Sequence, residues 1–276
     1  MAIYHIDFKI LKRSEGRSSC SEAAYQARCK ITDQRTGKTY DYRYRTGLYA
    51  HFILAPQQTP AHLIENSSAL WNEVERVERQ SNGQTSRYFN VAIPVELVNE
   101  EKIKLVREYC QQNFVDKGMI ADIAFHDLDG RNPHAHVMLT LKHITEQGFG
   151  KKNRDWNHQN LVNVWREAWS ELANRYLADA GVDARIDHRS LKEQRNEAII
   201  LSETEAKKGN RAAACRYIAK AIELNRSPLT RISPHSWNSE KSQTLRQSEQ
   251  AMAASTKQVA DQFLNATLSS HDSRKQ

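Results

Sequence analysis

Apolar and polar positions recur along this chain with periods of two or of three to four, and the switches between them mark out the elements. Residues 2–10 follow a period of two, with Tyr4, Ile6, Phe8 and Ile10 on one face and Ile3, His5 and Asp7 on the other. That is the pattern of a half-buried strand. Polar residues and Gly16 interrupt it, and Ser19 followed by Glu22 has the form of a capping box ahead of Ala23, Ala24 and Ala27. A helix is therefore predicted from about Ser19, with Tyr25 on an early turn. Residues 31–50 are rich in Thr, Gly, Tyr and Arg; a turn at Thr36-Gly37 and the exposed run Tyr40-Asp41-Tyr42-Arg43-Tyr44-Arg45 read as loop or edge strand.

Leu63, Leu70, Val74 and Val77 predict a helix over about 61–80, ended by Ser81-Asn82-Gly83, and Tyr88 to Val95 reads as a strand with Pro94 at its end. Ile103, Val106, Tyr109 or Cys110, and Phe114 recur at helical spacing until Lys117-Gly118. Residues 120–126 and 134–142 read as strands. The turn-rich segment Asp127-Leu128-Asp129-Gly130-Arg131-Asn132-Pro133 between them predicts an antiparallel hairpin. Leu161, Val164, Trp165, Ala168, Trp169, Leu172 and Tyr176 form a broad helical stripe capped by Gly181, and a further helix is expected over 203–224. Beyond Ser227 the chain is polar and rich in Ser and Gln; residues 245–265 have a marginal helical pattern and the ending SSHDSRKQ reads as disordered. These elements give an α+β class, a folded domain over 1–225, and a polar tail over 226–276 that is partly helical or disordered.

Composition narrows the function classes. The 276 residues are 39% hydrophobic, enough for one large or two small cores. No stretch approaches the roughly 18 apolar residues of a membrane helix, and MAIYHIDFKI lacks the order of a signal peptide, so no membrane insertion and a cytoplasmic location are expected. Cys20, Cys29, Cys110 and Cys215 are too scattered for a zinc ribbon and too few for a disulfide scaffold. A net charge of +7 favours a polyanionic partner.

Three histidines carry the chemistry. His134 and His136 share one strand face by period two, while Ala135, Val137, Leu139 and Leu141 take the other. His126 lies at the far side of the hairpin, so its imidazole joins them if the pairing parity is right. A single histidine beside a turn is ordinarily a surface residue, but three on an otherwise apolar hairpin are hard to explain by packing. Three imidazoles without a thiolate leave open positions on a metal, the arrangement of a catalytic ion. With a basic surface this points to phosphodiester chemistry, for which the nucleophile is water or a side chain such as Tyr25. Tyr25 alone is one of ten tyrosines and carries little weight by itself.

The opening MAIYHI, the SEAAYQAR segment, the IPVEL run, the HDLDGRNPHAHVMLTL block and the DARIDHRSL segment, in that order over about residues 1–195, resemble the MobA/MobL family of plasmid mobilisation relaxases. The resemblance implies the HUH-endonuclease fold, an antiparallel sheet flanked by helices. It implies Tyr25 as nucleophile and His126, His134 and His136 as ligands of a divalent metal ion, Mg²⁺ or Mn²⁺. It further implies attack on one phosphodiester of the transfer origin, giving a 5′-phosphotyrosyl linkage and a free 3′-hydroxyl that can later rejoin. The implied partners are single-stranded or locally melted origin DNA, accessory relaxosome proteins and a secretion coupling protein in a bacterial cytoplasm.

Some relatives carry an acidic residue near the stretch that here reads Arg87-Tyr88-Phe89-Asn90, so the general base is open; Asp7 and Asp127 are candidates for it or for orienting an imidazole. Candidate DNA contacts are Arg13, Arg17, Lys151, Lys152 and Arg154, with Arg185 and Arg189 of the DARIDHRSL segment. Tyr42, Tyr44 and Trp156 are candidates to stack on unpaired bases. Two other readings stand beside this one: a three-histidine hydrolase using water, and a module that binds single-stranded DNA without cutting it. A replication initiator is disfavoured, because in that branch the tyrosine follows the histidine block.

Overall fold

The computed structural model describes residues 4–230, 232, 236 and 238–272. Residues 2 and 3 of the first expected strand and the last four of the SSHDSRKQ ending lie outside that range. Two compact units divide the chain, Met1–His188 and Arg189–Gln276.

The first unit is built on a five-stranded sheet in the order β1-β5-β7-β6-β4. Its strands are β1 (Ile6–Lys12), β4 (Leu48–Leu54), β5 (Gln84–Ala92), β6 (Ala121–His126) and β7 (His134–Thr140), and every neighbouring pair is antiparallel. Period-two alternation sends Phe89, Val91, Ile123, Phe125, Val137 and Leu139 to one face. There α3 (Asn99–Asn113) and α4 (Asn160–Asp179) cover them with Leu105, Tyr109, Trp165 and Trp169. Tyr88, Ile120 and Met138 face the other way, under α1 (Ser19–Gln26) and α2 (Ser67–Val77), which contribute Ala23, Ala24, Leu70 and Trp71. This is the α+β arrangement with an antiparallel sheet flanked by helices that the sequence implied.

Several boundaries differ from the sequence pattern for identifiable reasons. Residues 31–50 hold a small hairpin, β2 (Lys30–Thr32) with β3 (Thr39–Asp41), and the start of β4, the edge strand of the main sheet. The expected 61–80 helix is a 3₁₀ turn over Ala61–Leu63 followed by α2, because the Asn66 side chain accepts from the Ala69 N–H at 2.9 Å and caps a new start. A second hairpin, β8 (Lys142–Thr145) with β9 (Gly148–Lys152), was not anticipated, since its strands are too short to show alternation. In the second unit, the single helix expected over 203–224 is two, α5 (Leu191–Lys207) and α6 (Arg211–Glu223), broken where Gly209 takes φ +75°. The marginal pattern at 245–265 is part of a longer helix, α7 (Glu240–Asp272). No helix among the described residues is long and apolar enough to cross a membrane.

A polar knot fastens α2 to the sheet. The buried Asp122 carboxylate on β6 accepts from Trp71 Nε1 at 2.7 Å and Ser67 Oγ at 2.6 Å, and meets His51 Nε2 of β4 at 2.5 Å. Burial by itself lowers the His51 pKa, but the hydrogen bond and charge of Asp122 outweigh it and raise the value above 6.5. Asp122→Ala strands three donors, and the expected loss is about 3–5 kcal/mol in urea unfolding. Because the folded-state pKa of His51 is raised, its ion-pair contribution is full below about pH 6.5 and is lost as pH rises through the raised value. The stability gap between the wild type and His51→Gln should therefore narrow across that interval; a gap that widened with pH would contradict the pairing.

Candidate active site

The β6–β7 hairpin sets His126 and His134 directly opposite one another. Parity is thereby fixed, and His136, two residues on, falls on the same face. The intervening turn is held by Asp127, whose carbonyl accepts from the Gly130 N–H at 3.0 Å and whose carboxylate accepts from the Asn132 N–H at 3.0 Å. Asp127 has φ +54°, and a Cβ at Gly130 would fall 1.9 Å from its Oδ1. A side chain at Gly130 would have to displace that carboxylate from the Asn132 N–H. The three imidazole centroids are 4.9, 5.0 and 5.5 Å apart, and one ligand nitrogen from each lies within 4.8 Å of the others.

Each imidazole also has an acceptor on its outer side. His134 Nδ1 faces the Asn132 carbonyl at 2.7 Å and His136 Nδ1 faces Asn90 Oδ1 at 2.5 Å, so both present Nε2 inward. His126 Nε2 donates to the Gln26 carbonyl at 2.8 Å. Burial, followed by the charge of neighbouring histidines and Arg28, pushes His136 down to about 3; burial likewise takes His126 to about 4 against the bond to Gln26. These imidazoles are neutral at neutral pH, the form that binds a metal ion. An all-imidazole donor set with one nitrogen of each ring oriented from outside fits a divalent cation.

Tyr25 is the penultimate residue of α1 rather than one of its first turn. The helix begins where predicted, but its cap is Ser18, whose Oγ accepts from the Cys20 N–H and donates to Asp33 Oδ2 at 2.7 Å. Ser19 instead donates its N–H to Glu75, and Glu22 takes Arg17. The Gln26 carbonyl bound by His126 belongs to the residue after Tyr25, so the end of α1 meets the histidine cluster directly. The half-buried Tyr25 ring packs edge-on against Tyr42 at 5.4 Å.

The other candidates separate by their partners. Asp7 stands in one cross-strand row with Asn90 and His136, and its carboxylate is 3.1 Å from Lys9 Nζ. Asp127 is engaged by its own turn. Arg13 is a correction: its side chain is 7% exposed, bridges Glu75 at 2.8 Å and donates to the Glu78 carbonyl, so it locks the first turn after β1 onto α2. Arg17 pairs with Glu22 and with the Tyr88 hydroxyl, and Lys152 with Glu78 and the Gln84 carbonyl. Lys151, Arg154 and Arg185 are exposed, Arg185 donating to the Val182 and Ala184 carbonyls. Arg189, in the second unit, pairs with Glu197. Trp156 is buried against His143 and is a core residue, whereas Tyr44 is 74% exposed. The sequence reading missed Asn90 as the acceptor for His136, although its position opposite His136 follows from register, and missed Arg28 and Arg45 beside Tyr25.

The antiparallel sheet flanked by helices is the architecture the sequence resemblance implied, and it places three imidazoles beside the end of the helix that bears Tyr25. The chain belongs to the MobA/MobL family, whose model matches residues 17–216. A conjugal transfer protein TraA of Agrobacterium fabrum is 36% identical over 224 residues, covering 70% of this chain and 20% of the relative. Mobilization protein MobL of Acidithiobacillus ferridurans is 34% identical, over 69% of this chain and 58% of its own length. A solved structure from work on the molecular basis of vancomycin resistance transfer in Staphylococcus aureus superposes with a TM-score of 0.64 at 28% identity, covering 68% of this chain and 100% of that one. The chain thus spans about a fifth of the length of the TraA relatives.

Asn90→Ala removes no ligand but leaves His136 Nδ1 without its acceptor. Manganese affinity measured by calorimetry should fall about 10–100-fold, with a larger loss for His136→Ala; an unchanged affinity in Asn90→Ala would show that the imidazole needs no outer partner.

Proposed function

We propose that this chain nicks and rejoins one DNA strand at a plasmid transfer origin by tyrosine transesterification, in support of conjugative mobilisation. The observation that carries the reading is the contact between His126 and the carbonyl adjoining Tyr25, which joins the nucleophile's helix to the imidazole cluster. The names of the TraA and MobL relatives support a role in transfer.

In this reading the Tyr25 oxygen attacks phosphorus, the bond from phosphorus to the 3′-oxygen breaks, and the phenolic proton is passed on so that the strand leaves with a 3′-hydroxyl. One P–O bond forms as one breaks, so the linkage keeps its energy and the reverse attack reseals the strand without a nucleotide cofactor. His126, His134 and His136 would hold a divalent ion, Mg²⁺ or Mn²⁺, whose contribution would be Lewis-acid polarisation of the phosphodiester. Asp127 and Asn132 hold the turn that aims His134, and Asn90 aims His136. The substrate is single-stranded or locally melted, because the tyrosine and cluster act on one exposed phosphate. Relaxosome proteins, a coupling protein and a bacterial cytoplasmic setting complete the proposal. We assign the nuclease domain to residues 1–225, supported by a family match that runs into α6, and treat 226–276, which shares the second compact unit with α5 and α6, as an appended segment.

The test is incubation with a random-sequence pool of single-stranded oligonucleotides and manganese, followed by a denaturing gel. The wild type and Tyr42→Phe should give a protein band bearing covalent DNA, and Tyr25→Phe should give none. Cleavage without a band, or cleavage by Tyr25→Phe, would replace this reading with hydrolysis by water; binding without cleavage would leave a single-strand binding module.

A further inference from the structure

Two arginines pack on the ring of Tyr25. The guanidinium carbon of Arg28 lies 4.5 Å from the ring centroid and that of Arg45 lies 5.2 Å from it. Arg28 Nη1 also donates to the Tyr25 carbonyl. Arg45 is at once 6.0 Å from the Tyr42 ring and 5.9 Å from that of Tyr44.

Arg28 sits where a helix ending favours glycine. The Cys29 N–H closes α1 on the Ala24 carbonyl at 3.1 Å, and Arg28, one residue past the cap Ala27, takes φ +50°. A long side chain carried on left-handed backbone has a steric cost that glycine avoids, and such strain marks functional positions. Its charge is also unusual for this neighbourhood. Arg13 ends on Glu75, Arg17 on Glu22, Arg35 on Asp33 and Glu75, and Arg43 on Asp41. Among the described residues no carboxylate pairs with Arg28 or Arg45, and Arg28 Nε is buried without a hydrogen-bond partner. Cations with a spare planar donor are matched to phosphate oxygens.

We propose that Arg28 and Arg45 form a phosphate clamp that seats a backbone phosphate of the bound strand against Tyr25. The proposal rests on the transesterase reading for its reaction, but not for its ligand. Ring packing fixes both cations at the nucleophile, and the left-handed backbone at Arg28 fixes where that side chain starts. A phosphate there accepts from the guanidinium nitrogens, and the same charges stabilise the negative charge that builds up on its oxygens during attack.

Binding and chemistry are measured separately. In a Tyr25→Phe background, affinity for a fluorescein-labelled oligothymidylate is titrated against salt with Arg28→Gln, Arg28→Gly or Arg45→Gln added. Each should flatten the slope of log K against log salt by about 0.7, the loss of one single-strand phosphate contact. With Tyr25 intact, each should lower the yield of covalent adduct from the random pool about tenfold or more. Arg28→Gly should melt no lower than wild type, which separates the clamp from a structural role; Arg28→Gln, which removes the charge but keeps a side chain with an amide donor, serves if the glycine variant misfolds. Unaltered slopes overturn the clamp whether or not adduct forms. Flattened slopes with no wild-type adduct would sustain the clamp and sink the transesterase reading instead.

Discussion

The hydrogen bond from His126 to the Gln26 carbonyl is the join on which the site depends. It links residues 100 apart in sequence, one at the end of a helix and one at the end of a strand, and it is buried. Without it the hairpin would still gather three imidazoles, because that follows from register alone. The tyrosine would lack a fixed place relative to them. A buried carbonyl at a helix end also needs a partner, so the bond meets an obligation of the backbone while orienting an imidazole.

Rigidity around that join comes from polar groups as much as from apolar packing. Asp122 binds β6 to β4 and α2, and Glu75 of α2 receives Arg13 together with the Ser19 N–H. The first turn of α1 is therefore held from α2, while its last turn is held by the sheet. A helix of eight residues is too short to be stable by itself. Pinned at both ends, it becomes a fixed mount for Tyr25.

The three-histidine face was legible in the sequence because strand periodicity is strict and the apolar partners of His134 and His136 leave only one register. Strands β1, β5, β6 and β7 and helices α3 and α4 were legible because each carries its core residues at regular spacing, whereas the edge strand β4 was not read as one. Other features depend on partners distant in the chain. Nothing near Arg13 in sequence foretells Glu75, and nothing near Trp156 foretells that its carbonyl receives Arg87 in a buried contact. Arg28 was hidden by a different effect, since the left-handed position it occupies is one that sequence patterns reserve for glycine. The split between α5 and α6 was obscured because the Glu, Ala and Lys residues before Gly209 and the alanine run after it all suit a helix.

The amide at position 90 bears on how the site would treat charge. Where an acidic residue accepts from a ligating histidine, the carboxylate raises the ring's basicity and places a negative charge near the ion. Asn90 orients His136 as firmly, at 2.5 Å, while adding no charge. Imidazole ligands, which bind a metal only in their uncharged form, and a neutral amide would leave the positive charge of a bound cation undiminished by these neighbours. Arg28 and Arg45 add to the same sign. On the proposed reading the site as a whole would therefore receive negative charge, which suits a phosphodiester as the balancing anion.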